Sequence, residues 1–305
     1  MNTPYTVVEV KPEWRLDQEQ MGSKRKFWYS EGIDKPRWLF KYAREITPGF
    51  LSGEHWAEKI AEQVAEKMGI PHAKVELAVC QGSRGSTTES FTNANTPILV
   101  HGNELLSFFD KDYESFKTFK QKQHTLDRIF IFFNWVSFNP DSVELIKRQF
   151  AEYLVLDALV SNVDRHHENW GVLFGFVENQ LMLRLAPSFD HASSLGRELT
   201  DERRQHLLTN ALVGQYVDKG SGAIFRNMEE KKAPSPLELV QYAVATHPLI
   251  FTGALKKLGN IKPQDCETIV ERIPGEWMSP CARRFAKELL CHNLKQLTHL
   301  ENPNP

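Results

Sequence analysis

The sequence predicts an α+β protein of two lobes: a sheet-rich N-terminal lobe holding one helix, residues 1–103, and a larger helical lobe, residues 104–305. Three observations carry this. Short aromatic and β-branched runs, bounded by turn residues, fill much of the first hundred positions. One strongly periodic stretch interrupts them, with Trp56, Ile60, Val64 and Met68 at i, i+4 spacing. Beyond about Asn103 the texture turns helical, broken only by two short apolar runs.

Taken in order, strands are expected over residues 5–10, 25–30, 38–43 and 74–80. Between the third and fourth runs comes a helix from Gly53 to about Met68, stopped by Gly69 and Pro71. Its charged residues Glu54, Lys59, Glu62 and Glu66 are expected mostly on a solvated side. Residues 82–86, Gly-Ser-Arg-Gly-Ser, lack the spacing of a Walker phosphate loop and read as a flexible turn. Phe116, Phe119 and residues 126–135 suggest packed apolar faces. A longer helix is expected over residues 142–160, with Ile146, Phe150, Leu154, Asp157 and Ala158 along one side. A loop, residues 161–170, follows. Residues 172–177 and 181–185 then form a hairpin around Glu178-Asn179-Gln180. Ser235-Pro236-Leu237-Glu238 is a capping box with proline at the first helical position. A last helix runs from Pro280 to about Leu297.

Apolar residues at 41% and charged residues at 25% are ordinary globular usage, so a core can form. The net charge of −2 lacks the basic excess by which nucleic-acid binders neutralise phosphates, and direct nucleic-acid binding is not expected. A local basic patch at Lys24, Arg25 and Lys26 is the exception. Cys80, Cys266, Cys281 and Cys291 show no zinc or disulfide spacing, which fits a reducing cytoplasm. The N-terminus lacks the basic start and apolar centre of a signal peptide. No apolar run approaches the ~18 residues that span a bilayer. A soluble cytoplasmic protein with no membrane contact is expected.

The chemistry concentrates in residues 162–170, where six polar residues, Asp164 to Asn169, stand between apolar flanks. Loops placed by rigid elements commonly carry function. The second piece, Pro187-Ser188-Phe189-Asp190-His191, comes directly after the hairpin. An antiparallel hairpin returns the chain to where it began, so Asp190 should approach Asn169. A carboxylate beside a carboxamide supplies hard oxygen ligands suited to Mg²⁺. Asp164 could orient a hydroxyl and accept its proton. Adjacent His166 and His167 are poorly placed to share zinc, and His167-Glu168 lacks the later histidine of HExxH.

Asp164-Arg165-His166-x-x-Asn169 followed by Phe189-Asp190 resembles the catalytic loop and metal-binding aspartate of kinases. The order of motifs is most similar to HipA-like serine/threonine kinases of the toxin type. The wording Asp-Arg-His-x-x-Asn is also similar to that of phosphatidylinositol 3/4-kinases. The resemblance implies a bilobal protein-kinase-like fold, ATP and Mg²⁺ as cofactors, and phosphoryl transfer to a protein hydroxyl. It makes Asp164, His166 and Asn169 catalytic, with Asn169 and Asp190 on the metal. Residues 22–28 resemble the family's phosphate-covering loop and bring Ser23 and Lys24 to the nucleotide. Lys41 matches the nucleotide-binding lysine, and Glu58 its acidic partner in preference to Glu62. His166 would order the loop, and Arg165 would pair with a nearby carboxylate or phosphate. The resemblance also implies autophosphorylation at Ser23, a protein substrate and an antitoxin-type protein partner. Two departures stand out. Asp190 is followed by His191-Ala192 instead of Phe-Gly, and longer members carry an extra N-terminal segment for which this chain leaves no room, so the likeness is to the compact branch. A small-molecule or lipid kinase would use the same constellation, as would a nucleotide-binding pseudokinase acting as an interaction module.

Overall fold

The computed structural model describes residues 3–18, 25–92, 98–136, 140–177 and 180–301. The first lobe is built on β1 (Val7–Glu9), β2 (Arg15–Gln18), β3 (Lys26–Ser30), β4 (Arg37–Tyr42), β7 (Val75–Cys80) and β8 (Ser83–Glu89), in the order β1-β7-β8-β4-β3-β2. A small ribbon, β5 (Glu45–Thr47) with β6 (Phe50–Leu51), leads into α1 (Glu54–Met68). Side chains alternate across a strand, so Phe27, Tyr29 and Phe40 share one face and pack with Val10, Ala78 and Cys80. The opposite alternation turns Lys41 towards α1.

Two expectations change here. Only Gln81 and Gly82 form the turn, with φ of 49° and 76°, while Ser83–Glu89 is a central strand. Two of its buried hydroxyls are bonded, Ser86 Oγ donating to Glu58 at 2.7 Å and Thr87 Oγ1 to Tyr29 Oη at 3.0 Å, so burial does not strand them. Gly85 lets β8 lie against β4: a Cβ there would sit 2.2 Å from the Lys41 carbonyl oxygen. The helix α1 is also buried on nearly every side, with most of its charged residues; Glu66, near its end, stays exposed as expected. Glu54, Glu58, Lys59 and Glu62 are all in the interior, because α1 is sandwiched between the sheet and the helical lobe. Lys59 is held by the Val75 carbonyl at 2.6 Å and by Glu62 and Glu76 at 3.0 Å each.

The rest of the chain runs through β9 (Ile98–His101), α2 (Gly102–Phe109), α3 (Leu126–Val136), α4 (Pro140–Val160), β10 (Gly171–Val177) and β11 (Gln180–Leu185). It closes with α5 (Asp201–Thr209), α6 (Val213–Lys219), α7 (Pro236–Thr246), α8 (Pro248–Leu255), α9 (Pro263–Glu271) and α10 (Pro280–Glu301). α4 is the axis of this lobe, packed by α3, α7, α8 and α10 through Phe150, Leu154, Ala158 and their neighbours. β10 and β11 form the expected hairpin, with Val172 opposite Leu185, and β9 adds a third strand beside β10. The α7 capping box is present, with Glu238 N donating to Ser235 Oγ at 3.2 Å and Ser235 N to Glu238 at 2.8 Å.

Residues 110–125 depart from the expected packed faces. Phe116 and Phe119 are exposed, and only Leu126 onward forms a helix, burying Ile129, Phe132 and Phe133. Gln121 and Gln123 bond the Glu114 backbone at 2.6 and 2.8 Å, giving this segment a non-helical route to satisfied backbone groups. Among the described residues no helix is long and apolar enough to cross a membrane.

Candidate active site

The site begins one turn inside α4. Asp157 is a lone acid on an otherwise apolar helix face, 2% exposed. Its carboxylate accepts from Arg165 Nε at 2.7 Å and Nη2 at 2.8 Å, and from Asn162 Nδ2 at 2.8 Å. Arg165 directs its remaining N–H groups to the Asn169 carbonyl at 2.7 Å, the Phe189 carbonyl at 3.2 Å and Ser188 Oγ at 3.0 Å. All five guanidinium donors are thereby used. Burial opposes its charge, but the Asp157 carboxylate more than offsets that and holds its pKa above the ordinary value. One buried side chain therefore clamps the helix end, the loop and the chain leaving the hairpin.

That clamp sets the geometry of the acidic and amide groups. Asn169 Nδ2 donates to the Asp164 carbonyl at 2.7 Å, which leaves Oδ1 as a free acceptor among the described residues. The Asp164 amide donates to Asn162 Oδ1 at 3.2 Å, and its carboxylate, a third exposed, accepts from Ser193 Oγ at 3.3 Å. His166 Nε2 stands 3.9 Å from the same carboxylate, while Nδ1 accepts from the Glu168 amide at 3.2 Å. Asp190 sits in the left-handed region, φ 56°, a conformation that aspartate tolerates better than most residues.

Across the cleft Lys41 is buried, with Nζ 3.2 Å from Glu58 Oε1 and 3.2 Å from Asp190 Oδ1. Ser86 Oγ donates to Glu58 Oε2 at 2.7 Å, so both carboxylate oxygens of Glu58 are fixed. Burial disfavours the ammonium, yet Asp190 and Glu58 outweigh it and hold the lysine pKa above its usual range. The structure thus brings Lys41, Glu58 and Asp190 together, and ties Asn169 to the residue before Asp190 through Arg165. Ser23 and Lys24 lie outside the described residues.

His167 is a buried spacer, its Nδ1 2.8 Å from Tyr113 Oη, and burial lowers its pKa to about 4. His124 Nε2 accepts from Trp170 Nε1 at 3.0 Å, so its Nδ1 is the donor to the Ala223 carbonyl at 2.9 Å. Four partners were not read from sequence as site residues: Asp157, Ser86, Ser188 and Ser193. Only Asp157 carried a signal, an acid at an apolar helical position; the serines sit among runs that look like ordinary turns.

Among the described residues no group of three or more His, Cys, Asp or Glu forms a metal cluster. The donor set at Asn169 and Asp190 is one carboxamide and one carboxylate. Such a pair fits Mg²⁺, which keeps waters and takes substrate phosphate oxygens to complete its shell.

The family of HipA-like C-terminal domains matches residues 17–247. The chain belongs to that family. Its HipA-like fold is similar to that of the Helicobacter pylori proinflammatory kinase CtkA, with a TM-score of 0.76 and 16% identity over 97% of this chain and 99% of that one. It is also similar to Shewanella oneidensis MR-1 HipA, solved as the toxin–antitoxin complex with HipB and its operator DNA. There the TM-score is 0.57 and the identity 14%, over 95% of this chain and 65% of that one. No curated protein matches the chain. At these identities the structural likeness establishes the fold, a two-lobed kinase fold with a sheet-rich first part and a helical second part.

Proposed function

We propose that this HipA-like chain is a protein serine/threonine kinase, using ATP and Mg²⁺, with residues 1–103 as its nucleotide-binding lobe and residues 104–305 as its catalytic lobe. The observation that carries the reading is Lys41 held between Glu58 and Asp190, at 3.2 Å from each, opposite a loop that presents Asp164 and Asn169. Phosphoryl transfer depends mainly on positioning and on charge neutralisation. Lys41 binds the nucleotide phosphates and Glu58 keeps its ammonium in place. Asp164 orients the acceptor hydroxyl and takes its proton as the new oxygen–phosphorus bond forms and the bond to the β-phosphate oxygen breaks. His166 braces the loop. Bound Mg²⁺, held by Asn169 Oδ1 and Asp190, would supply neutralisation of phosphate charge.

A protein acceptor, a cytoplasmic location, an antitoxin-type partner and autophosphorylation at Ser23, assisted by Lys24 in the same loop, complete this reading. HipA of Shewanella oneidensis was solved with HipB, which supports looking for such a partner. The test is incubation of the purified protein with γ-labelled ATP and Mg²⁺, alone and with cell lysate. Labelled protein is expected. Labelled lipid would replace the protein-kinase reading with a lipid kinase, and nucleotide binding without transfer would replace it with a pseudokinase. Asp164→Asn and Asp190→Asn should each lower transfer roughly 10²–10³-fold, the usual cost of losing one preorganised electrostatic partner. Circular dichroism should show both variants folded. Full activity in both removes the assignment.

A further inference from the structure

We infer that Glu54, Arg197 and Ser193 form a positioning relay that fixes the Asp164 carboxylate, so that helix α1 aligns both halves of the reaction centre. The inference rests on the role proposed above for Asp164.

Glu54 and Glu58 are four residues apart on α1 and therefore share one face of the helix. Glu58 serves the nucleotide side through Lys41. Glu54, 4% exposed, points its Oε1 to Arg197 Nη1 at 2.6 Å and its Oε2 to the Arg44 amide at 3.3 Å. The second terminal nitrogen of Arg197 donates to Ser193 Oγ at 3.2 Å, and Ser193 Oγ donates to Asp164 Oδ2 at 3.3 Å. The direction of this chain is forced. A guanidinium only donates and a carboxylate only accepts, so the serine hydroxyl takes one bond from Arg197 and turns its single proton to Asp164.

The backbone holds the relay in place. Gly53 N donates to the Arg197 carbonyl at 2.7 Å, joining the start of α1 to this segment. Val163 N donates to the Ser193 carbonyl at 3.3 Å, joining the same segment to the catalytic loop. Leu195 and Gly196, both left-handed at φ 58° and 65°, make the turn that brings Arg197 back beside Ser193. Ser193 and Glu54 are shielded from water, where charge-assisted hydrogen bonds hold their geometry better than at the surface. A purely structural ion pair would end at Arg197; here it continues to a carboxylate at the centre of the site.

Losing the Ser193 hydroxyl removes no charge and leaves the Arg197–Glu54 pair intact, but takes away the donor that orients Asp164 Oδ2. Small misplacement of a reacting group costs up to about 10²-fold in rate. ADP formation from ATP and Mg²⁺, with dephosphorylated casein as acceptor, should show Ser193→Ala lowering kcat about 10–100-fold. Its KM for ATP should stay within about twofold and its thermal midpoint near that of the wild type. Ser193→Thr, which keeps the hydroxyl, should restore most of kcat, and Glu54→Gln combined with Ser193→Ala should be no worse than the poorer single variant. Asp164→Asn is the control. If it remains fully active, the proposed function fails; if it is inactive while Ser193→Ala keeps wild-type kcat, the relay alone fails. Crystal structures of wild type and Ser193→Ala give a readout independent of turnover. The Asp164 carboxylate should leave its single orientation in the variant, and an unchanged carboxylate overturns the relay.

Discussion

Arg165 shows how much can hang on one side chain. Its five donors are all used inside the protein, and its partner Asp157 is 2% exposed. Arg165→Met would strand the Asp157 carboxylate in the interior, and breaking a buried pair from one side costs about 3–5 kcal/mol. Urea denaturation should therefore show a loss of that size, and a loss below ~1 kcal/mol would mean the pair does not clamp the helix end to the loop. The double change Asp157→Leu with Arg165→Met should recover part of it, because no charge is then left buried. The resemblance carried by the sequence implies a carboxylate or phosphate partner for Arg165, and the sequence places Asp157 on the helix face. It could not show that the two are one pair, since residues eight apart meet only once the chain has turned out of α4. Ser193 was less legible still: nothing distinguishes its hydroxyl from its neighbour Ser194 until the Asp164 carboxylate is placed beside it.

At the scale of the element, apolar alternation revealed β1, β3, β4 and β7 but hid β8. That strand buries Ser86 against Glu58 on one face and Thr87 against Tyr29 on the other, so neither face shows an apolar stripe there and its pattern resembles a turn. The same reasoning misplaced the charged side of α1: the apolar stripe and the Gly69 stop were visible, but the second layer covering Glu54, Lys59 and Glu62 was not. β8 offers a paired test. Gly82 has φ 76° and open space where a Cβ would go, with nothing within 4 Å, whereas Gly85 has no left-handed φ but a 2.2 Å approach to Lys41 O. Gly82→Ala should cost only the left-handed penalty, ~1–2 kcal/mol. Gly85→Ala must push β8 from β4, at the ~1–3 kcal/mol of overpacking or more, and should also shift Ser86 off Glu58. Thermal midpoints and ATP titration separate the two: Gly82→Ala should bind ATP normally, and Gly85→Ala should bind it more weakly. Equal ATP affinity in both would sever β8 from the nucleotide side.

Over the whole molecule, buried neutral histidines make the fold sensitive to acid. His55 packs edge-on against Trp277, 5.3 Å between ring centres, and burial lowers its pKa to about 4. His124, enclosed beside Trp170, is lowered to about 3, again chiefly by burial. Both would titrate near 6.5 in the unfolded chain. Above that pH neither state is protonated, and the neutral rings cost nothing. Below it the unfolded chain takes up protons that the fold refuses, so stability falls as pH drops from about 6.5 towards the folded values. The limiting slope is ~1.4 kcal/mol per pH unit for each ring, ~2.7 for the two. His72 works the other way: burial opposes its charge, but Glu62 raises its pKa, so its contribution is full in acid and fades as pH rises through that folded value. One partly opposing group does not cancel these two, and burial lowers His167, to about 4, and His191 in the same direction. Denaturant unfolding at pH 7.5 and 5.0 should show a lower midpoint in acid, and His55→Gln should make the difference between the two pH values smaller, whatever it does to the midpoint at pH 7.5. An unchanged pH difference in that variant would place the acid sensitivity elsewhere than in the junction between α1 and the helical lobe.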